Sequence, residues 1–255
     1  MKTSIIITTL LLTSISLFSQ TAQEISKKSM SATDIGNMEM VSTIHISDSK
    51  GNSRVRQITT ASKQFNEVTK MLIKFISPAE VRGTALLIYD YEKQSDDMWI
   101  YMPALRKVRR VVSSEKGKSF MGSEFTNADM SKPNVNDFEY SMLGSEMYDG
   151  NSCWKIQLKC KTEAIQNENG FSKRISYIDK NIFVCYKVEN YGFDGRLQRI
   201  QTIRSYKKQS NGKYFAYNMV MENVQTGRKS ELVIEKFQAG SQLSESAFAP
   251  TALEK

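Results

Sequence analysis

The chain has 255 residues, 35 Lys and Arg against 27 Asp and Glu for a formal charge of +8, and 40% apolar residues. Only 4 prolines occur and no Pro/Gly-rich linker divides the chain, so one domain spanning residues 20–255 is expected. The positive and negative charges are mixed throughout, and no finger, helix-turn-helix or Gly-rich RNA-binding signature is present, which argues against a nucleic-acid partner.

Met1-Lys2, the apolar run Ile5 to Leu12 and a Thr/Ser-rich stretch to Phe18 read as a secretory signal peptide over residues 1–19. The apolar core is too short for a permanent membrane span. Cleavage is expected after Ser19, or after Gln20. No cysteine lies in or just after this segment to accept a lipid, so a soluble exported product is expected.

Thr21 to Asp34 is polar with sparse apolar positions at Ala22, Ile25 and Met30, which predicts an amphipathic helix. Met38 to Ile46, Ser53 to Ala61 and Gln64 to Ile76 follow as alternating strands, with turns at Ser47 to Asn52 and Ser62-Lys63. His45 stands alone in an alternating strand without cysteines or carboxylates at ligand spacing, so it reads as a sheet side chain and no metal site is expected.

Ala85 to Tyr91 and Met98 to Met102 are β-branched and aromatic runs on either side of the polar break 92–97, and Pro103 ends the second. Both faces of these strands are apolar. Leu86 and Ile88, like Met98, Ile100 and Met102, alternate with Leu87 and Tyr89 or Trp99 and Tyr101. An ordinary antiparallel sheet has one wet face, so here something must cover the second: helices, another sheet or an apolar ligand. Leu86, Leu87, Ile88, Trp99, Ile100, Tyr101 and Met102 are therefore candidates to line a hydrophobic ligand cavity, and parity leaves open which set faces inward.

Leu105 to Val112 carries Arg106, Lys107, Arg109 and Arg110 among valines. A basic strand at an edge or rim discourages sheet-to-sheet pairing, and the same residues are candidates for docking to an acidic partner or an anionic headgroup. Thr126 to Met130 could begin a short helix or turn, and Ser131 to Asp137 is an irregular segment that could gate a curved sheet or be an ordinary surface loop.

Phe138 to Met147, Cys153 to Thr162, Phe171 to Ile178, Ile182 to Val188, Arg196 to Lys207, Tyr214 to Asn223 and Gly227 to Phe237 continue the strand pattern. So many short strands at regular spacing favour an all-antiparallel sheet or barrel. Cys153 and Cys160 are seven apart and face opposite sides of one strand. Either could pair with Cys185, or all three could be buried thiols.

The chain has no Gly-x-Ser-x-Gly elbow, phosphate-binding Gly loop or His-Glu zinc motif. Asp96-Asp97 leaves an exported cell-envelope hydrolase as one alternative, and a periplasmic protein-interaction module associated with an envelope transporter as another. Neither enzyme activity nor a cofactor is expected.

Pro78, Gly83-Thr84, the run Trp99-Ile100-Tyr101-Met102-Pro103-Ala104-Leu105-Arg106-Lys107-Val108-Arg109-Arg110 and then Ser119-Phe120-Met121-Gly122-Ser123-Glu124-Phe125 resemble the outer-membrane lipoprotein-sorting protein family, which is similar in fold to the periplasmic lipoprotein carrier. The resemblance implies an α+β, mainly β fold: a strongly curved antiparallel sheet forming an incomplete barrel, covered by short helices, whose hollow holds acyl chains. It marks Phe120, Gly122, Ser123, Glu124 and Phe125 as a motif loop, with Glu where Asp is common. It also implies a soluble periplasmic carrier of lipid or lipoprotein acyl chains, with an inner-membrane transporter or outer-membrane acceptor as partners.

Overall fold

The computed structural model describes residues 20–92 and 94–254; the expected leader, residues 1–19, lies outside them. The chain opens with helix α1 (Ala22–Thr33), followed by strands β1 (Met38–Ser47), β2 (Ser53–Phe65), β3 (Val68–Ser77), β4 (Ala85–Tyr91), β5 (Asp97–Met102) and β6 (Lys107–Arg110). After helix α2 (Ser113–Lys116) come β7 (Phe138–Tyr148), β8 (Asn151–Cys160), helix α3 (Glu163–Asn169), β9 (Lys173–Asp179), β10 (Cys185–Tyr191), β11 (Leu197–Lys208), β12 (Tyr214–Asn223) and β13 (Arg228–Ala239). Short 3-10 turns, Glu245–Phe248 and Pro250–Ala252, follow the last strand.

All thirteen strands form one antiparallel sheet in the order β6-β5-β4-β3-β2-β1-β13-β12-β11-β10-β9-β8-β7. The sheet is curved and does not close, because β6 and β7 are its two free edges. The first six strands meander from the middle out to one edge, and the remaining seven run from the other edge back to pair β13 with β1. Residues 111–137 must therefore carry the chain from edge to edge. With mostly hairpin-length connections elsewhere, this crossover is the longest stretch without a strand among the described residues, and it crosses the face on which α1 also lies.

Each observed strand overlaps a stretch that alternation identified, but some boundaries differ. Ser62-Lys63 is not a turn: β2 continues to Phe65, Ser62 is buried, and the chain reverses at Asn66, whose φ of 53° is left-handed. A polar pair mimics a turn, yet here Lys63 instead donates to the Leu243 carbonyl at 2.9 Å. Helix α3 was not expected. Its signals are local: Thr162 caps the Ile165 amide at 3.2 Å, and Gly170 ends the helix with φ 73°.

The two-sided apolar pattern has two covers. On the inner face, Leu86, Ile88 and Met98 join Ile44, Ile73, Phe75, Met221 and Ile234 against Phe120 and Phe125 of the crossover. Farther round the same face, Ile156, Leu158 and Ile178 pack with Ala22 and Ile25 of α1. On the outer face, Ala85 and Leu87, flanked by Trp99 and Tyr101, lie under Phe248 and Leu253 of the C-terminal segment. Tyr89 Oη donates to the Phe248 carbonyl at 2.7 Å, and Lys70 reaches Glu245 at 2.7 Å with its ammonium 4.5 Å from the Tyr89 ring centroid. Full burial of side chains such as Leu87 and Phe248 contributes about 1.5–3 kcal/mol each, which fixes this strap to the sheet.

Candidate functional site

A cavity of about 330 Å³ lies between α1 and β8–β12. Its apolar wall is built from Leu158, Ile178, Val188, Ile203, Phe215, Ala216 and Met219, with Met30 contributed by the helix. Ile203, Phe215 and Met219, like Val188 and Ser176, share the inner face because the register sets Met219 opposite Ile203 and Ser176 opposite both Val188 and Ile156, whereas Ala216 borders the cavity with the opposite parity. The helix is well started: Thr21 caps the Glu24 amide, and Glu24 accepts from the Thr21 amide at 2.9 Å. Its farther end is held by polar surface contacts, Lys132 to Asp34 at 2.8 Å and Lys213 to Ser31 at 3.1 Å. The cover is therefore apolar below and lightly tied above.

One end of this cavity is charged. Successive ladders place Arg174 opposite Asn190, Asn190 opposite Arg199, Arg199 opposite Asn223 and Asn223 opposite Arg228. The result is a polar row across five strands of an otherwise apolar face. Asp129 of the crossover descends onto it, 3.6 Å from both Arg174 and Arg199. Arg199 also donates to the carbonyls of Glu124 at 3.0 Å and Gly170 at 3.2 Å. Arg174 lies over the Phe171 ring at 3.9 Å, and burial pushes its pKa below the usual guanidinium value.

The motif loop sits beside this row and latches the crossover. Phe120 and Phe125 are buried on either side of a tight reversal in which the Phe120 amide bonds the Phe125 carbonyl at 2.8 Å. Met121 (φ 50°) and Gly122 (φ 79°) turn the chain, and Ser123 Oγ donates back to the Phe120 carbonyl at 2.7 Å. Glu124 then crosses to the sheet: its carboxylate meets Arg228 at 2.6 Å and accepts from Asn223 at 3.2 Å, while its amide donates to Ser230 Oγ at 2.9 Å. Gly122, Ser123, Glu124 and Phe125 also line a more polar depression of about 580 Å³ with Phe193, Arg199 and Arg228.

The strand candidates are divided between the two faces. Leu86, Ile88 and Ile100 pack inward against Phe120 and Phe125, whereas Leu87, Trp99 and Tyr101 pack outward under the strap. Met102 is half-buried with the parity of Ile100. The cavity beneath α1 is built from other strands. Sequence parity could have found Arg174, since it shares a face with Ser176 and Ile178, but not its neighbours across the sheet.

The basic residues occupy the β6 edge. Arg109 pairs with Glu115 at 2.6 Å and Arg110 with Asp97, both at the surface, while Arg106 adopts a left-handed conformation before Lys107. Cys153 packs on the outer face, and Cys160 and Cys185 on the inner; all three are free thiols. Burial pushes Cys153 and Cys160 up to about 11 and Cys185 up to about 12. His45 is exposed opposite Glu231, and among the described residues no cluster could hold a metal ion. Asp96, the acidic candidate, lies by the crossover with Asp90, whose carboxyl is pushed up to about 6 by burial and by the Asp96 charge.

An open, curved antiparallel sheet covered on its inner face by a helix and a crossover is the LolA-like fold. A family model described as an uncharacterized protein matches residues 67–255, and the chain belongs to that family. A domain from Vibrio parahaemolyticus assigned to outer-membrane lipoprotein sorting is 27% identical with a TM-score of 0.85, over 92% of this chain and 98% of that one. A DUF1329 family protein from Desulfovibrio piger is 25% identical with a TM-score of 0.83, over 91% and 97%. A LolA superfamily protein from Nitrosomonas europaea, at 20% identity and TM-score 0.71 over 91% and 98%, shares the fold. No curated protein matches the sequence. Among the described residues no helix is long and apolar enough to cross a membrane.

Proposed function

We propose that this protein is a soluble periplasmic carrier that binds lipid, or the acyl chains of lipoproteins, beneath α1, as a single unit over residues 20–255 after loss of a leader. The observation that carries the reading is the apolar cavity of about 330 Å³ under a helix that is packed on the sheet through Ala22 and Ile25 and held at its far end by surface contacts, within the size range of small-molecule sites. Similarity to the lipoprotein-sorting domain supports the same class of cargo. Each methylene withdrawn from water contributes about 0.8 kcal/mol, so binding needs no chemistry.

The edge formed by Arg106, Lys107, Arg109 and Arg110 is suited to steer the carrier toward an acidic surface of a membrane-associated donor or acceptor. Titration of detergent-free protein with a fluorescent fatty acid tests the cavity. Saturable binding is expected, with at least tenfold loss on filling the cavity by Ser176→Trp in a folded protein. Unchanged affinity in that variant would place the ligand elsewhere and remove the support for this reading.

A further inference from the structure

Arg174 and Arg199 share one carboxylate but differ in everything else. Arg199 has the Glu124 and Gly170 carbonyls as acceptors and serves to fasten the crossover. Arg174 has its nearest carboxylate oxygen at 3.6 Å, longer than a good charge-assisted hydrogen bond. Its Nε is buried without a protein acceptor, and the Phe171 ring lies against its guanidinium. Asp129 is already engaged, accepting from the Thr126 amide at 2.8 Å while facing both arginines. Two guanidiniums against one carboxylate leave one positive charge at the cavity wall.

A guanidinium largely withdrawn from water, its side chain 18% exposed, with a buried Nε that has no acceptor, is costly unless something completes it. A purely structural arginine would show the satisfied geometry that Arg199 has. Arg174 instead lines the apolar cavity, where an amphipathic ligand would bring its polar end. We propose that Arg174 is the headgroup subsite of this cavity, taking the anionic carboxylate or phosphate of a ligand whose acyl chain lies beneath α1. This rests on the carrier reading and narrows its cargo to acyl ligands with an anionic group near the chain. Asp129 is then the internal competitor that holds the guanidinium loosely until such a ligand arrives.

Calorimetric titration of the full protein with three twelve-carbon probes, dodecanoate, dodecyl phosphate and dodecanol, separates the possibilities. The wild type is expected to bind at least one anionic probe tenfold or more tightly than dodecanol, and which anion is preferred identifies the carboxylate or the phosphate as the source. Arg174→Gln should abolish that preference while leaving dodecanol binding within about threefold. Asp129→Asn should strengthen anion binding, an effect opposite in sign to a general loosening of the fold. Equal binding of charged and neutral probes by the wild type would overturn the headgroup subsite and leave the carrier standing. Binding of none of the three would overturn both. If Arg174→Gln does not fold, Asp129→Asn decides: a gain for the anions alone supports the proposal, and no change or a loss for them refutes it.

Discussion

Glu124 shows how much one side chain of the motif loop does. Its carboxylate, little exposed, ties the crossover to Arg228 and Asn223 on two neighbouring strands. Glu124→Ala would leave Asn223 Nδ2 and the Arg228 guanidinium without that acceptor, and a loss of about 1–3 kcal/mol is expected in denaturant unfolding. Asp90 makes a prediction of the opposite sign. Burial, with Asp96 adding to it, raises its carboxyl from 3.8 to about 6, so between those values the folded state holds more proton than the unfolded one. Stability from this group is therefore present at low pH and lost as pH rises through about 6. Asp90→Asn should remove that slope and add on the order of 1–3 kcal/mol at pH 7, read by unfolding curves from pH 4 to 8. The thiols give a third test. With values pushed up to about 11 by burial, the buried Cys153 and Cys160 should resist alkylation at pH 8 until the protein is unfolded.

At the scale of elements, the strands were legible because alternation is a local property, and each one lies where a β-branched or aromatic run predicts it. What covers them was not. Leu86 and Leu87 look alike in the sequence, yet one meets Phe120 from a crossover and the other Phe248 from the far end of the chain. The parity of each set was readable, but its cover depends on contacts that are distant in sequence. Helix α3 escaped because it is short and carries no apolar stripe. Phe120→Ala and Phe248→Ala should each cost about 3–5 kcal/mol, since both rings are buried among packed side chains. They differ in consequence: only Phe248→Ala removes a ring from the outer cluster to which Trp99 belongs, so it should shift that tryptophan's emission to the red while Phe120→Ala does not.

For the molecule as a whole, the topology divides the inner face into two regions. Toward β1–β6 and β13 it is packed by the chain's own crossover, and toward β8–β12 it is roofed by α1 over a cavity. A resemblance in the motif run pointed to the overall architecture, but the position of the cavity depends on how thirteen strands curve together and on Arg174, Asn190 and Arg199 meeting across β9, β10 and β11. No single stretch contains that information. If α1 is the cover through which cargo passes, its amides should exchange faster than those of the central ladders and slow when an acyl ligand is added. The most direct measurement is native mass spectrometry of the protein purified without detergent, followed by lipid extraction and rebinding. Adducts with the mass of an acyl ligand, lost on extraction and restored by adding it back, are expected. A folded, delipidated protein that takes up no acyl ligand would contradict the carrier assignment.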